Sequence, residues 1–253
     1  MPIELKICGI NSKEIIQTIV NIGGCHYLGF IFYPPSPRNV SIEHSKNLTS
    51  MVPQNIKKVA VLVDPKDNFV EKIKDQFDFF QLYNTSPART KELTSLKHSK
   101  YNVAVMVNPS RENLESIKDF NFHYYQIYGN QKPDEINEIK QKYKVKIIKA
   151  LTVETKVDIL KYKIYEEVSD IILFDSKGYE QSLSFPHSLL DDVPKRVKKM
   201  IAGNIQIHDL EKISKIADIV DVSGAVETNK KKDLTKIKEF LLKVKKINEN
   251  RTI

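Results

Sequence analysis

Two cysteines, Cys8 and Cys25, are all the thiols this chain carries. So few in 253 residues exclude a disulfide framework. Long hydrophobic runs are missing too: none approaches the ~18–20 residues of a membrane span. No signal-peptide pattern precedes the first apolar run, which begins almost at once. A reducing cytoplasm, with both thiols free, is the expected setting. There is no recognisable nucleic-acid module and no glycine–aromatic repeat, so no nucleic-acid partner and no membrane partner is expected. Acidic residues are the minority, 32 Asp+Glu against 40 Lys+Arg, a formal charge of +8. The excess lysines are dispersed, at Lys57-Lys58, Lys140 to Lys146, Lys195 to Lys199 and Lys230-Lys231-Lys232. That spread describes solvated helix faces and a field favourable to anionic substrates.

What is there, 41% hydrophobic and 28% charged residues, is a globular chain with a packed core. Short apolar runs alternate with longer amphipathic, lysine-rich segments. The first run, Leu5-Lys6-Ile7-Cys8-Gly9-Ile10, reads as a buried strand of a parallel sheet, ending in a thiol. Cys8 is either a small buried hydrophobe or a group poised at the C-terminal end of a strand, where α/β folds bind ligands, with Gly9 turning the backbone away. Further strands are expected to begin at Tyr27, Val59, Phe79, Val103, Tyr124, Ile147, Ile171, Met200 and Ile219. Helices are expected between most of them, including one over Pro87 to Leu96. Such alternation argues for a parallel sheet.

One stretch is duplicated. Val59–Tyr83 and Val103–Tyr128, aligned with one gap opposite Asn121, share 12 identities over 25 positions. Each copy reads as strand, Asp/Asn-Pro turn, helix, strand, so a βαβ unit is repeated. Removing one copy leaves eight strands, the number that closes a (β/α)8 barrel.

Polar or glycine-rich tips follow several strands: Cys8-Gly9, Arg38 after a proline-stiffened loop, Gln126, Asp175, Gly203-Asn204 and Ser223-Gly224. In a barrel these converge on one face, where a thiol opposite a carboxylate can act as a base and acid pair. The last two tips resemble the phosphate site that barrels build after their final strands. Taken singly, each has a plain structural reading: Asp175 as a helix cap, Gly203 and Gly224 as turn residues.

Together, Lys6-Ile7-Cys8-Gly9, Gly29-Phe30-Ile31-Phe32 with Ser36-Pro37-Arg38, Gln126-Ile127-Tyr128-Gly129, Phe174-Asp175-Ser176, Ile201-Ala202-Gly203 and Asp221-Val222-Ser223 with Val226-Glu227-Thr228 carry a resemblance. In that order the chain resembles the phosphoribosylanthranilate isomerases of tryptophan biosynthesis, which are (β/α)8 TIM barrels. The resemblance implies an Amadori rearrangement of a phosphorylated small molecule, with no redox cofactor and no metal. It makes Cys8 the general base and Asp175 the general acid. It assigns Arg38 and Gln126 to the substrate site, and Gly203, Asn204, Ser223 and Gly224 to the phosphate. It leaves monomer or homodimer open.

Glycine is scarce where that family has most of it. Lys177-Gly178-Tyr179-Glu180-Gln181-Ser182 replaces a G-T-G loop, Asn204 and Ala225 stand at usual glycines, and Tyr128 replaces a histidine. Lys177 is a candidate to supply charge where backbone amides are lost. These departures and the repeat keep two alternatives in view: a non-catalytic barrel retained for binding, and another sugar-phosphate isomerase. Eight strands already leave an interior filled by side chains, and widening would move Cys8 away from Asp175. The expected architecture is therefore a single (β/α)8 barrel domain over residues 1–253, with one copy of the repeat as an insertion outside the wall.

Overall fold

The computed structural model describes residues 2–65, 67–83, 101–119, 122–176 and 185–251. The helix expected over Pro87 to Leu96 and the loop carrying Lys177 lie outside the described residues. In chain order the elements are β1 (Glu4–Cys8), α1 (Lys13–Ile22), β2 (Tyr27–Phe32), α2 (Ile42–Thr49), β3 (Lys57–Val63), α3 (Asp67–Ile73) and β4 (Phe79–Tyr83). There follow β5 (Tyr101–Val107), α4 (Arg111–Ile117), β6 (Tyr124–Tyr128), α5 (Pro133–Tyr143), β7 (Lys146–Val153), α6 (Lys156–Leu160), α7 (Tyr162–Tyr165) and β8 (Ile171–Ser176). The chain closes with β9 (Lys199–Ala202), α8 (Leu210–Ile216), β10 (Ile219–Val222), a two-residue hairpin pair β11 (Glu227–Thr228) and β12 (Lys231–Lys232), and α9 (Leu234–Glu249). Local chemistry sets the helix starts. Ser12 caps α1 by accepting from the Ile15 amide, Asp233 caps α9, and Pro133 sits in the first turn of α5.

All of β1 to β10 are parallel and form one closed barrel, β10 returning to pair with β1 at Lys6↔Asp221. The barrel class is as expected, but the count of eight strands is corrected to ten. Neither copy of the repeat lies outside. In the first copy Val59 pairs with Phe79 and Val61 with Gln81; in the second Val103 pairs with Tyr124 and Val105 with Gln126, the same register. A further ladder, Gln81↔Val103, joins the copies to each other.

The two extra strands carry large side chains into the barrel. Alternation along a strand sends every second side chain inward. From β4 and β6 these are Phe79, Gln81, Tyr83 and Tyr124, Gln126, Tyr128. Phe79 meets Tyr27 edge to face at 5.9 Å near the base of the barrel. Tyr83, Tyr124 and Tyr128 pack on an inner cluster of Val103, Val105, Ile148, Ala150, Ile171, Leu173 and Met200. The repeat thus brings its own large inward residues to the wider ring. Outside the wall the two copies also repeat one ring contact: Phe77–Phe80 at 6.2 Å and Phe122–Tyr125 at 6.0 Å, both edge to face.

At the base, an acceptor just ahead of one strand clasps the first amides of its neighbour. Asp78 accepts from Lys58 N, Asp170 from Ile147 N, Asp218 from Lys199 N, and His26 Nδ1 from Leu5 N. These bonds satisfy strand-end donors that would otherwise be unpaired. Among the described residues no helix is long and apolar enough to cross a membrane.

Candidate active site at the barrel mouth

Inward positions near the C-terminal ends of the strands open into a cavity of about 520 Å³. Cys8, Asp175, Gly203, Asn204, Ser223 and Gly224 all line it. The sequence therefore located six of its eight candidate residues on one surface, and the wider barrel does not remove Cys8 from the mouth that holds Asp175. Gln126 lies one layer down, buried, with its Nε2 donating to the Tyr128 hydroxyl at 3.2 Å. Arg38 is not among the cavity-lining residues. Its guanidinium grips Glu227 in a bidentate pair, Nε–Oε1 at 2.7 Å and an NH2–Oε2 bond at 2.8 Å.

Cys8 ends β1 directly beside Gly29 of β2. A Cβ on Gly29 would stand 2.7 Å from the Cys8 Sγ, so this neighbour must be glycine for the thiol to keep its place. The backbone then turns away: Gly9 and Ile10 both donate to the Gly29 carbonyl at 2.9 Å. Burial pushes the Cys8 thiol above its ordinary value; Lys6, Lys232 and Arg38 draw it down, and Asp221 adds to the rise. Cys25, by contrast, is the structural thiol: buried, pushed up to about 12, and bonded to backbone carbonyls.

Lys6, two residues before Cys8 and on the same face, is buried. Its ammonium donates to Asp221 Oδ2 at 2.7 Å and to Gln81 Oε1 at 3.0 Å. Burial works against that charge, but Asp221, Cys8 and Tyr83 outweigh it and hold Lys6 protonated.

Asp175 stands at the end of β8. Its Oδ2 accepts from the Tyr128 hydroxyl at 2.9 Å. Burial raises the Asp175 carboxyl above the usual range; the Tyr128 bond and the Lys6 charge oppose this, and Asp221 reinforces it. Asp221 therefore pushes both the thiol and the carboxyl upward. Tyr128 itself is held well above its ordinary value by burial and by Asp175, so it remains a neutral donor.

Ser223 lines the other rim, with Lys232 buried behind it. Ser223 Oγ donates to the Cys8 carbonyl at 3.1 Å, and the Lys232 ammonium reaches the Ser223 carbonyl at 3.0 Å and also Glu227. Burial lowers Lys232 and Glu227 opposes that. Burial would raise Glu227, but Arg38 and Lys232 more than offset it and keep its carboxyl ionised. Across the mouth, Gly203 carries φ +87°, and any Cβ there would collide with Ser176 Oγ. That Ser176 hydroxyl is buried and has no hydrogen-bond partner among the described residues. Asn204 adopts φ +41°, a left-handed conformation asparagine tolerates.

Lys232, Tyr83, Gln81 and Ser176 were not singled out from sequence. The repeat held a signal for two of them: Gln81 and Tyr83 align with Gln126 and Tyr128. Lys232, in a charge run, carried none. Among the described residues no group of three or more His, Cys, Asp or Glu side chains is placed to hold a metal ion.

The chain is matched by the family model of N-(5'-phosphoribosyl)anthranilate isomerase over residues 5–100 and again over 83–243, two stretches that overlap in the link between the repeat copies. The N-(5'-phosphoribosyl)anthranilate isomerase of Paramagnetospirillum magneticum is 26% identical over 251 residues, 95% of this chain and 96% of that one. The phosphoribosyl anthranilate isomerase of Thermotoga maritima has a like fold, with TM-score 0.60 at 22% identity, covering 96% of this chain and 99% of its own. A second solved isomerase, in complex with reduced 1-(o-carboxyphenylamino)-1-deoxyribulose 5-phosphate, gives TM-score 0.58 at 22% identity over 96% and 99%. With the family model spanning nearly the whole chain, this protein belongs to the N-(5'-phosphoribosyl)anthranilate isomerase family.

Proposed function

We infer that this chain catalyses the Amadori rearrangement of N-(5-phosphoribosyl)anthranilate to 1-(2-carboxyphenylamino)-1-deoxyribulose 5-phosphate in tryptophan biosynthesis. The observation that carries this reading is one cavity lined by both Cys8 and Asp175, in a member of the isomerase family. Asp175, raised by burial, is the general acid and protonates the furanose ring oxygen. The ring opens to a protonated Schiff base between C1 and nitrogen. Cys8, as thiolate, takes the proton from C2, and the C–H electron pair forms the C1–C2 double bond of the enolamine. Loss of the C2 hydroxyl proton and protonation of C1 complete the ketone. A proton returns from the Cys8 thiol to the Asp175 carboxylate through solvent, resetting both groups.

Gly203, Asn204, Ser223 and Gly224 hold the phosphate at the rim, with backbone amides as donors. The Ser176 hydroxyl, without a partner among the described residues, is a donor suited to the same group. Arg38 serves from behind the cavity: it fixes Glu227 and, through its charge, favours the Cys8 thiolate. Gln126 serves by orienting Tyr128. The working unit is a monomer or a homodimer, acting in the reducing cytoplasm, where Cys8 and Cys25 stay free.

Growth complementation tests the reading. A tryptophan auxotroph lacking this isomerase should grow when it expresses the chain, and should not grow on the Asp175→Asn or Cys8→Ser variant. Soluble wild-type protein that fails to restore growth overturns it.

A further inference from the structure

The repeat places a second Gln-x-Tyr pair inside the barrel, and its members do different work from their counterparts. In the second copy Gln126 donates to Tyr128, and Tyr128 donates to Asp175. In the first copy Gln81 turns its Oε1 to Lys6 instead. Tyr83 is left lining the cavity with a hydroxyl that makes no hydrogen bond to the described residues. Its electrostatic neighbours are Lys6, Cys8, Asp221 and Asp175, so it stands within the field of both the thiol and the carboxyl. A polar group on a cavity wall without a partner among the described residues is a group suited to a ligand.

We propose that Tyr83 is a substrate-contacting residue of the isomerisation, its hydroxyl holding the oxygen on sugar C2 while Cys8 removes the proton from that carbon. The proposal rests on the isomerase reading above. Burial and the surrounding carboxylate and thiol raise Tyr83 far above its ordinary value, with only Lys6 opposing. It therefore acts as a neutral donor and not as a base. Fixing the C2 oxygen turns the C2–H bond toward the thiolate, an orientation effect that belongs to the proton-abstraction step. The contact forms after ring opening, because only the open chain can swing its C2 oxygen. Tyr128, committed to Asp175, is the matching residue on the acid side. The duplication thus gives the acid and the base one tyrosine each.

Steady-state kinetics and ligand binding separate the possibilities. Tyr83→Phe should lower kcat about tenfold while KM, which reports the closed furanose, stays within about twofold. The kinetic isotope effect with C2-deuterated substrate should rise, and both limbs of the pH profile should stay in place. Calorimetric binding of reduced 1-(2-carboxyphenylamino)-1-deoxyribulose 5-phosphate, an open-chain analogue with a C2 hydroxyl, should weaken about tenfold in the same variant. Wild-type kcat with wild-type analogue affinity overturns the proposal. So does a shift of the acidic limb like that of Tyr128→Phe, since it would mean Tyr83 works through Asp175. A wild-type chain that binds the analogue without turning over substrate fails the isomerase reading alone, because the affinity comparison still reads the Tyr83 contact.

Discussion

The Tyr128 hydroxyl donates to Asp175 Oδ2 at 2.9 Å, and that bond pulls downward on a carboxyl that burial pulls upward. Removing it should make Asp175 a weaker acid. In Tyr128→Phe the acidic limb of the pH profile is expected to move to higher pH, because the ionised carboxylate loses a donor. A limb that stays in place, or moves down, would show that Tyr128 does not set the titration of Asp175.

In the proposed mechanism activity needs Cys8 ionised and Asp175 protonated, yet carboxyls titrate below thiols. Below the Asp175 pKa the rate rises with pH as thiolate accumulates. Between the two it is flat, at a level set by the gap between them. Above the Cys8 pKa it falls as the acid form is lost. Both groups are raised. The acidic limb should therefore lie above the ordinary ~3.9 of an aspartate, and the alkaline limb above the ~8.5 of a free thiol. Measured kcat/KM from pH 4 to 10 checks this, and a profile that peaks sharply near pH 6 would contradict it.

Cys8→Ser replaces the proposed base with a hydroxyl of much higher pKa. The loss in kcat should reach ~10²–10⁴-fold, the range of general acid–base contributions, as should the loss in Asp175→Asn. Circular dichroism and thermal midpoints should be unchanged to within a few degrees. Single-turnover assays of both variants decide this, and activity within threefold of wild type in either would remove that residue from its role.

Gly29→Ala probes the space reserved for the thiol. The new methyl would stand 2.7 Å from Cys8 Sγ and 3.1 Å from its Cα. Overpacking of this kind costs about 1–3 kcal/mol, and it should displace the sulfur. A lowered melting temperature together with slowed alkylation of Cys8 by iodoacetamide is the expected pair of results.

Arg38 and Glu227 are 14% and 5% exposed, and the carboxylate is shared with Lys232. Arg38→Ala removes one of its two cations. A stability loss of about 1–3 kcal/mol is expected, below the ~3–5 kcal/mol for breaking a buried pair outright, because Lys232 remains. Arg38→Lys should recover only part of it, since an ammonium cannot reproduce the two-point grip. Urea unfolding of the three proteins tests the order.

Much of this architecture could be read from the chain. All ten strands begin within two residues of where their apolar runs begin, because a buried parallel strand announces itself as a short continuous run. Cys8 and Asp175 were legible because each ends such a run. What the chain did not disclose was strand count in the wall. Closure depends on interior volume, and the aromatic content of Phe79, Tyr83, Tyr124 and Tyr128 speaks to that only once their inward direction is known. Lys232 was hidden for a different reason. Its neighbours Lys230 and Lys231 belong to an ordinary basic turn, and only the β11–β12 hairpin folds this one lysine back onto Glu227.

The repeat adds strands two at a time. In barrels of this kind alternate strands feed alternate layers of the interior. An insertion of one strand would put two neighbours in the same phase and leave a fault line down the wall. A two-strand cassette keeps the parity, so β7 to β10 meet β1 with the same phase they would have in a shorter ring. Copy number is then a variable that unequal recombination can change without moving Cys8 off its face. Deleting 44 residues, from Asp64 through Val107, joins Val63 to Asn108 across equivalent positions of the two copies. The resulting chain should close with eight strands and lose Tyr83 while keeping Tyr128.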